Sequence, residues 1–502
     1  MRGALRRGRR CGVHVDDSRS PWPGFLSMII GFFMILVDST IVTIAMPHIM
    51  RSFDTGINNV IWVTSAYLLA YAVPLLITGR LGDRFGPKPI FLLGLFIFTA
   101  SSLWCGLAGS IGMLILARVV QGLGAALMAP QTMAVIMRTF PVERRGAPMG
   151  LWGSVAGIAM LVGPLLGGFL VDAAGWEWIF FINVPVGIAA MVLVAVNVPR
   201  LETHSHSFDL VGVALSAVGL FLIVFGIQEG ETYAWGNMPV IVFGATLQVP
   251  IFGMIAVGVV AMGVFIWWQR VTRSEPLVPL QLFADRNYVL SNTAISVMGL
   301  VAAASNIPLF LYVQSARGFT PSQSAVLMIP MAVASGLLSP FIGRFLQDRD
   351  PRPWIAGGLV GLAAAMAWYG LWLDPSRSPW WLLLPSLLVG VSSSFIWGPL
   401  ALVATRNLPR DLAGAGSGVY NTTRQIGSVL GSAAIAAVMS ARLTAELGPG
   451  AAAQGEGSSG AAMPPQVVEG FSAAMGQSMF LPAGLLLLAV VSVAFMRPPG
   501  RA

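Results

Sequence analysis

The sequence predicts an all-α polytopic membrane protein, and its composition and its apolar runs are the two observations that predict this fold class. Of the 502 residues, 56% are hydrophobic and only 10% are charged, whereas soluble domains carry about 25% charged residues. Apolar runs of roughly 20 residues recur along the chain, and each is long enough to cross about 30 Å of hydrocarbon. A transmembrane β-barrel would instead need shorter segments of alternating polarity, which the sequence lacks.

Fourteen transmembrane helices are predicted: a first group of six, two additional central helices and a second group of six. Their predicted ranges are 25–46, 59–79, 89–108, 111–137, 147–170, 178–197, 210–228, 249–268, 288–312, 323–345, 354–373, 380–404, 414–440 and 477–496. The stretch 229–248 is either an interfacial segment or an earlier start of the eighth helix. The Gly- and Ala-rich segment 445–466 is predicted to be a flexible outer loop.

These spans divide the chain into five parts. They are a cytoplasmic N-terminal arm (1–24), an N-terminal six-helix half (25–197), a linker with the two additional helices (198–287), a C-terminal six-helix half (288–496) and a cytoplasmic tail (497–502).

Positive charge predicts the orientation of the bundle, because cytoplasmic loops of membrane proteins are enriched in Lys and Arg. With the N-terminus in the cytoplasm, 23 of the 29 Lys and Arg residues fall in cytoplasmic segments, four fall outside and two lie within spans. The four outer residues are Arg51, Arg317, Arg377 and Arg442. Membrane orientation therefore accounts for the net charge of +8, and no nucleic-acid partner is predicted.

An internal repeat supports the division into two halves. The segment GRLGDRFGPKPIFLLGL (79–95) aligns without gaps with GRFLQDRDPRPWIAGGL (343–359), and RTFPVERRGAPMG (138–150) aligns with RNLPRDLAGAGSG (406–418). Both matches include charged loops at corresponding places, which similarity between apolar helices alone would not produce. Two six-helix halves related by duplication are one of the transporter architectures.

The stretch GRLGDRFGPKP (79–89) is predicted to be the cytoplasmic turn between the second and third helices. It combines three glycines with four charges in an otherwise apolar chain. Glycine permits tight turns and close backbone approach, and an aspartate accepts hydrogen bonds at a helix N-terminus or pairs with an arginine. From charge alone, a solvated turn that only sets the topology is an equal alternative.

The order of several motifs in the first half resembles the major facilitator superfamily and, within it, the fourteen-helix drug:proton antiporter family. The motifs are LVDSTIVTIAMPHI (36–49), the loop 79–89, LARVVQGLGAALMAP (116–130), GSVAGIAMLVGPLLGGFL (153–170) and WEWIFFINVPVG (176–187). The chain departs from the family pattern at Thr43, where Asn is usual, and at Glu177, where a basic residue is common.

The resemblance implies the major facilitator fold and assigns roles to two of these motifs. In the loop 79–89 it implies a gating role, in which the two halves are held together in the outward-facing state, for Gly79, Arg80, Gly82, Asp83, Arg84, Gly86 and Lys88. In the fifth helix it implies an antiporter motif that disfavours leak, formed by Gly153, Gly157, Gly163, Pro164, Gly167 and Gly168. As bare sequence, these glycines are also explained by close helix packing and the proline by a kink.

Two charged residues inside predicted spans are candidates for proton coupling, because charge within the bilayer is expensive. Asp38 lies ~20 Å from the cytoplasmic side of the first helix, and Arg118 lies ~10 Å from the outer side of the fourth, at 1.5 Å per residue. Both therefore reach the same depth, which allows an ion pair. A structural hydrogen bond for Asp38 and a static scaffold role for Arg118 are the alternatives, whereas the resemblance implies that Asp38 takes part in proton or substrate coupling and that Arg118 lies in the proton path.

A possible substrate cavity is predicted from aromatic and polar residues within the spans, for which packing is the alternative or, for Arg424, an interfacial position. The set is Trp62, Tyr67, Tyr71, Gln121, Asn292, Asn306 and Arg424. The sequence shows neither metal-ligand spacing nor a glycine-rich phosphate loop, so no metal and no cofactor are predicted.

The combined prediction is a monomeric transporter of the bacterial inner membrane that exports amphipathic drugs or small metabolites in exchange for protons, by alternating access. A proton-coupled importer of the same fold is the main alternative, and a non-transporting membrane sensor is a further one. A membrane enzyme is disfavoured, since no loop carries a catalytic constellation.

Overall fold

The computed structural model describes the chain except for residues 1–19, 56, 202–208, 231–232, 234, 243–244, 273–274, 347–348, 410–411, 449–464 and 499–502. Most of the predicted N-terminal arm and most of the predicted outer loop 445–466 therefore lie outside the described residues. The burial and contacts of some helical residues also lie outside the description, among them those of Thr43, Gly157 and Pro164.

The first half is built mainly from long apolar helices, and three of them begin at a proline or a capping residue. Pro23 lies in the first turn of α1 and Pro87 in that of α4, where the missing N–H costs nothing. Ser110 caps α5 by accepting a hydrogen bond from the Met113 N–H at 3.3 Å. The helices are α1 (Trp22–Ser52), α2 (Ile57–Ala72), α3 (Leu75–Phe85), α4 (Pro87–Gly106), α5 (Ile111–Thr139), α6 (Gly146–Ala174), α7 (Trp178–Phe181) and α8 (Asn183–Asn197).

The second predicted helix and the turn after it differ from the prediction. The helix is bent by 46° between α2 and α3, at Pro74, which cannot donate a backbone hydrogen bond. The stretch predicted as a turn over 79–89 is helical through Phe85, and only Gly86 leaves the helix, with φ of 91°. Glycine adopts this left-handed backbone at little cost, so one residue is enough to separate α3 from α4.

The central linker contains two helices joined by a β-hairpin. Helix α9 (Leu210–Gly230) leads to strands β1 (Asn237–Val242) and β2 (Ala245–Pro250), which pair antiparallel, and α10 (Ile251–Val271) follows. The stretch 229–248, for which the sequence allowed two interpretations, is thus largely a hairpin. Helix α9 also packs between the two halves, where its Val224 and Ile227 form an apolar cluster with Leu69 of α2 and Val429.

The second half repeats the helical architecture with more interruptions. The predicted span 380–404, for example, is split into two helices. The elements are α11 (Arg286–Leu311), α12 (Pro321–Val326), α13 (Ile329–Phe345), α14 (Arg352–Trp372), α15 (Leu383–Ser394), α16 (Trp397–Thr405), α17 (Ala413–Leu447), α18 (Pro465–Ser478) and α19 (Phe480–Ala494).

The all-α, multi-pass class is confirmed. Within the described residues, 12 helical segments are long and apolar enough to cross a membrane, and the bent pair of α2 and α3 raises this to 13. Helix α6 coincides with the predicted span 147–170. It is not one of the 12 segments, because only its part Leu165–Ala174 is assessed for length and hydropathy, as a shorter apolar helix. The number fourteen stays a prediction.

The two halves meet through glycines that occupy corresponding places in the internal repeat. A Cβ on Gly79 of α3 would lie 2.4 Å from the carbonyl oxygen of Gly414 in α17, and a Cβ on Gly343 of α13 would lie 2.1 Å from that of Gly146 in α6. The sequence alignment pairs Gly79 with Gly343 and Gly146 with Gly414. The duplicated segments therefore make equivalent backbone contacts, at the end of the bundle predicted to be cytoplasmic.

Candidate functional site

Asp38 lies at the centre of a buried polar network within the first half. Its Oδ2 accepts a hydrogen bond from Arg118 Nη1 at 2.5 Å, and both side chains are fully buried. Its Oδ1 accepts from Gln121 Nε2 at 2.9 Å and from Asn183 Nδ2 at 3.1 Å. Helices α1, α5 and α8 thus meet at one carboxylate, whose charge is balanced by one arginine.

The arginine of this pair is held by further groups. Arg118 Nε donates to the Val63 carbonyl at 3.0 Å and Nη1 to Gln121 Oε1 at 2.6 Å. The guanidinium carbon lies 4.0 Å from the centre of the Tyr67 ring, which is a favourable cation–π distance. The Tyr67 hydroxyl donates to the Ile35 carbonyl at 3.3 Å. Arg118 is therefore fixed in place beside Asp38.

Two polar members of this network are not predicted from the sequence, and a third is predicted in another role. Asn183 and Ser102 are neutral, so the cost of burying charge does not mark them; the Ser102 oxygen accepts from Gln121 at 2.7 Å. Gln121 is predicted to line a cavity, but its amide joins the Asp38 network. The sequence feature that could have identified them is a polar side chain, an amide or a hydroxyl, within an otherwise apolar helix.

A second charged cluster joins the two halves, and we call it the Asp83 latch. It consists of the Asp83 carboxylate, the Arg138 guanidinium at 2.5 Å, and the backbone N–H groups of Gly414 and Ala415 at 2.8 and 2.9 Å. Asp83 is fully buried. The two N–H groups lie in the first turn of α17, where unpaired donors and the helix dipole attract an anion.

The other residues of the predicted gating loop have separate contacts. Arg80 donates to the carbonyls of Pro276 and Leu277 in the linker at 2.5 and 3.0 Å. Lys88 donates to carbonyls at the end of α8 at 2.6 and 2.7 Å. Gly82 lies against Gln131 of α5, with no room for a Cβ. Arg84 lies over the neighbouring Phe85 ring at 5.3 Å.

The glycines of α6 place this helix against both α1 and the second half. A Cβ on Gly163 would lie 1.9 Å from Thr40 Oγ1, and one on Gly167 would lie 2.8 Å from Ile41, so both face α1 next to Asp38. A Cβ on Gly153 would lie 2.8 Å from the backbone nitrogen of Gly398 in α16. Gly168 is buried, whereas the burial and contacts of Gly157 and Pro164 lie outside what the structure describes.

The residues predicted to line a cavity separate into several environments. Asn306 lines an apolar cavity of about 70 Å³ within the second half. Trp62 packs against Phe225 of α9 with ring centres 5.5 Å apart, and Asn292 donates to the Tyr288 carbonyl one turn earlier in α11 at 2.8 Å. The cavity beside Asn306 is also lined by Met298, Met328, Met331, Met366, Met479 and Trp397. Flexible, polarisable methionines adapt to apolar ligands of varied shape.

The sequence profile of the Major Facilitator Superfamily matches residues 28–432, a range that holds both charged clusters. The chain belongs to this superfamily. It is a membrane transporter and not an enzyme.

Two relatives and one solved structure show how similar the chain is to known transporters. It is 47% identical over 482 residues to "Uncharacterized MFS-type transporter Rv1250" of Mycobacterium tuberculosis, covering 95% of this chain and 81% of the relative. It is 32% identical over 425 residues to the "Tetracenomycin C resistance and export protein" of Streptomyces glaucescens, covering 84% and 77%. The fold matches the proton:xylose symporter XylE with a TM-score of 0.64 at 13% identity, covering 95% and 96%.

Proposed function

We propose that this transporter exports amphipathic drugs or small metabolites in exchange for protons, by alternating access. We place it as a monomer in the bacterial inner membrane with both termini cytoplasmic and no nucleic-acid partner. The observation that carries the proposal is the fully buried Asp38–Arg118 pair, which provides a carboxylate for a proton deep within the first half. The Asp83 latch supports it, because its release would open the predicted cytoplasmic end.

Protonation of Asp38 has a direct consequence for the first half. A proton would remove the negative charge and one acceptor oxygen, which leaves the buried Arg118 uncompensated, and such a charge is costly. The helices that meet at Asp38 would then favour another arrangement. Because α6 packs on α1 beside Asp38 through Gly163 and on α16 through Gly153, that rearrangement reaches the second half.

The direction of transport is inferred from relatives and motif, because the fold is compatible with both directions. The Streptomyces relative is named as a resistance and export protein, and the glycine-rich motif of α6 resembles that of antiporters. The structural neighbour XylE is named as a symporter, but that likeness shows the fold alone. Flux of a compound panel that includes tetracenomycin C, measured in oriented vesicles, separates export from import.

The test of proton coupling is substrate-induced proton release from proteoliposomes. We expect Asp38→Asn to abolish the release and uphill efflux, while wild type releases protons when substrate is added. Asp38→Asn also leaves Arg118 unpaired and is expected to lower the free energy of unfolding by about 3–5 kcal/mol. The double variant Asp38→Asn/Arg118→Gln removes both charges and should regain stability without regaining proton release.

A matched control is an acid outside this network. Asp172 lies near the end of α6 and is exposed, so Asp172→Asn should release protons as wild type does. Normal proton release from Asp38→Asn would eliminate Asp38 as the coupling carboxylate. Loss of release in the Asp172 variant alone would move the proton site to the end of α6.

A further inference from the structure

Arg424 lies inside the bundle and, within the described residues, has no anionic partner. Arg118 is paired with Asp38, and Arg138 with Asp83. In the same part of the chain, Arg424 takes part in no ion pair, and its buried Nε has no hydrogen-bond partner. Charge inside a membrane protein is expensive and marks function by default, so a counter-charge from a ligand is the simplest account.

The position of Arg424 places its side chain between the two halves. It lies 11 residues after the first residue of α17, or ~16 Å along the helix, which is near the middle of a membrane. Its backbone packs on α11, because a Cβ on Gly299 would lie 2.2 Å from the Arg424 carbonyl oxygen. Helix α17 also contacts α2 of the first half, and the Tyr71 hydroxyl of α2 lies within electrostatic reach of this guanidinium.

Two tyrosine hydroxyls accompany this guanidinium. Tyr420 precedes Arg424 by one turn of α17, which puts both side chains on the same face of the helix. The hydroxyls of Tyr71 and Tyr420 are buried and, within the described residues, neither has a hydrogen-bond partner of good geometry. One guanidinium and two hydroxyls with free donors are the groups that bind a carboxylate, sulfonate or phenolate oxygen.

Building on the proposed export function, we propose that Arg424, Tyr71 and Tyr420 bind a negatively charged group of the transported compound, so that amphipathic anions are the preferred substrates. The apolar part of such a compound has a place at the same level of the bundle. Gly299, which contacts Arg424, is flanked on α11 by Met298 and followed by Ala302, and both of these line the methionine-rich cavity.

A contiguous path connects this site to the buried ion pair of the first half. The rings of Tyr71 and Tyr67 are stacked, with centres 6.2 Å apart and planes at 15°, and Tyr67 lies under the Arg118 guanidinium at 4.0 Å. An anion that binds Arg424 therefore acts two aromatic rings away from the Asp38–Arg118 pair. Substrate binding at Arg424 and the protonation of Asp38 are thus joined by a chain of packed side chains.

The test compares two fluorescent probes with the same aromatic body and different charge. Anilinonaphthalene sulfonate is anionic, and N-phenylnaphthylamine is neutral. Affinity for each is measured with purified protein in nanodiscs of zwitterionic lipid, for wild type, Arg424→Gln, Arg424→Lys and the control Arg442→Gln. Arg442 lies on the same helix near its other end and is exposed.

Wild type and the Arg442 control should prefer the anionic probe by at least about tenfold, since hydrogen bonds to charged groups contribute that much to affinity. Arg424→Gln should lose the preference while keeping its affinity for the neutral probe, which also reports correct folding. Arg424→Lys keeps the charge without the planar fork and should retain part of the preference. An undiminished preference in Arg424→Gln, or equal affinity of wild type for both probes, would overturn the proposal.

Two further measurements distinguish a substrate site from a lipid site, and the anion site from the export function. Phosphatidylglycerol added to the nanodiscs should leave the preference intact, and its loss would identify a lipid headgroup as the occupant and overturn the substrate assignment. If proteoliposomes show no proton-linked transport but the Arg424-dependent preference persists, the export function is wrong and the anion site stands. If transport is present and the preference is independent of Arg424, only the anion site is wrong.

Discussion

Asp83→Asn tests whether the Asp83 latch sets the conformational equilibrium of the transporter. The neutral asparagine amide cannot form the ion pair with Arg138. Its NH₂ group also replaces one of the two carboxylate oxygens that in wild type accept hydrogen bonds from the first turn of α17. Hydrogen bonds to charged groups contribute about 1.5–3 kcal/mol each. Part of this is regained when the groups are hydrated in the open state, so we expect a net loss of about 2–4 kcal/mol from the closed state. This corresponds to a shift of roughly 30- to 1,000-fold in the equilibrium.

The assay measures how often the predicted cytoplasmic end opens. Ser417 is fully buried between the halves, and its hydroxyl donates to the Pro130 carbonyl at 3.0 Å. Ser417→Cys, in a chain with Cys11 and Cys105 replaced, gives a single thiol that reacts with a maleimide only after the halves separate. Adding Asp83→Asn should raise the labelling rate in inside-out vesicles by at least about 30-fold, because the rate follows the open population.

The control uses an acid in the corresponding loop of the second half. Asp350 is paired with Arg352 at 2.6 Å, but the two side chains are 35% and 27% exposed, and such surface pairs contribute about 0–1 kcal/mol. Asp350→Asn should therefore leave the labelling rate nearly unchanged. If Asp83→Asn also labels at the parent rate and transports normally, the loop only sets topology and the reasoning about the latch is refuted.

Three further perturbations test other parts of the structure. Gly146→Ala should reduce transport strongly, since its Cβ would lie 2.0 Å from the Gly343 carbonyl oxygen, whereas Gly357→Ala, which meets nothing within 4 Å, should transport as wild type does. Tyr67→Phe keeps the ring under the guanidinium of the buried ion pair and should retain proton release in proteoliposomes, while Tyr67→Leu should lose it. Asp209→Asn should lower the midpoint of thermal unfolding, because this carboxylate accepts hydrogen bonds from a backbone N–H of α9 and from two α10 side chains at 2.7–2.8 Å; the expected loss of stability is about 1–3 kcal/mol.

The sequence predicts the fold class well because membrane burial acts on every residue of a span. The same cost of burying charge points to Asp38 and Arg118. The constant rise per residue of an α-helix then places both at the same depth. Gln121 and Asn183 complete the network, but neutral amides carry a smaller penalty and also occur where helices merely pack. Ionic members of a buried site are thus easier to predict than neutral ones.

Partners of the kinds that Asp83 has, an arginine and the N–H groups of a helix N-terminus, were predicted, but their identities could not be, because the N–H groups lie far away in the chain. Its carboxylate binds backbone groups 331 and 332 residues away, and backbone N–H groups leave no mark in a sequence. The helical state of residues 79–85 was missed for a related reason. Gly79 and Gly82 favour turns in water, but here they allow close packing on α17 and α5, and tertiary contacts override their local preference.

The difference between the two contacts at the predicted cytoplasmic end explains how a closed state of this kind remains reversible. The repeat places Gly79 on Gly414 and Gly343 on Gly146 in equivalent ways, and these contacts require close fit without adding charge. Among the residues that the structure describes, an ionic latch of this kind occurs on one side only; the position aligned with Asp83 is the uncharged Gln347, which lies outside the described residues. A net contribution of about 2–4 kcal/mol from one latch is a size that a ligand with differential affinity for the two states can offset, whereas two such latches would approach or exceed the ~5.5 kcal/mol that reverses an equilibrium from 1:99 to 99:1. A single ionic latch beside two neutral glycine contacts therefore lets proton and substrate binding decide which end of the bundle is open.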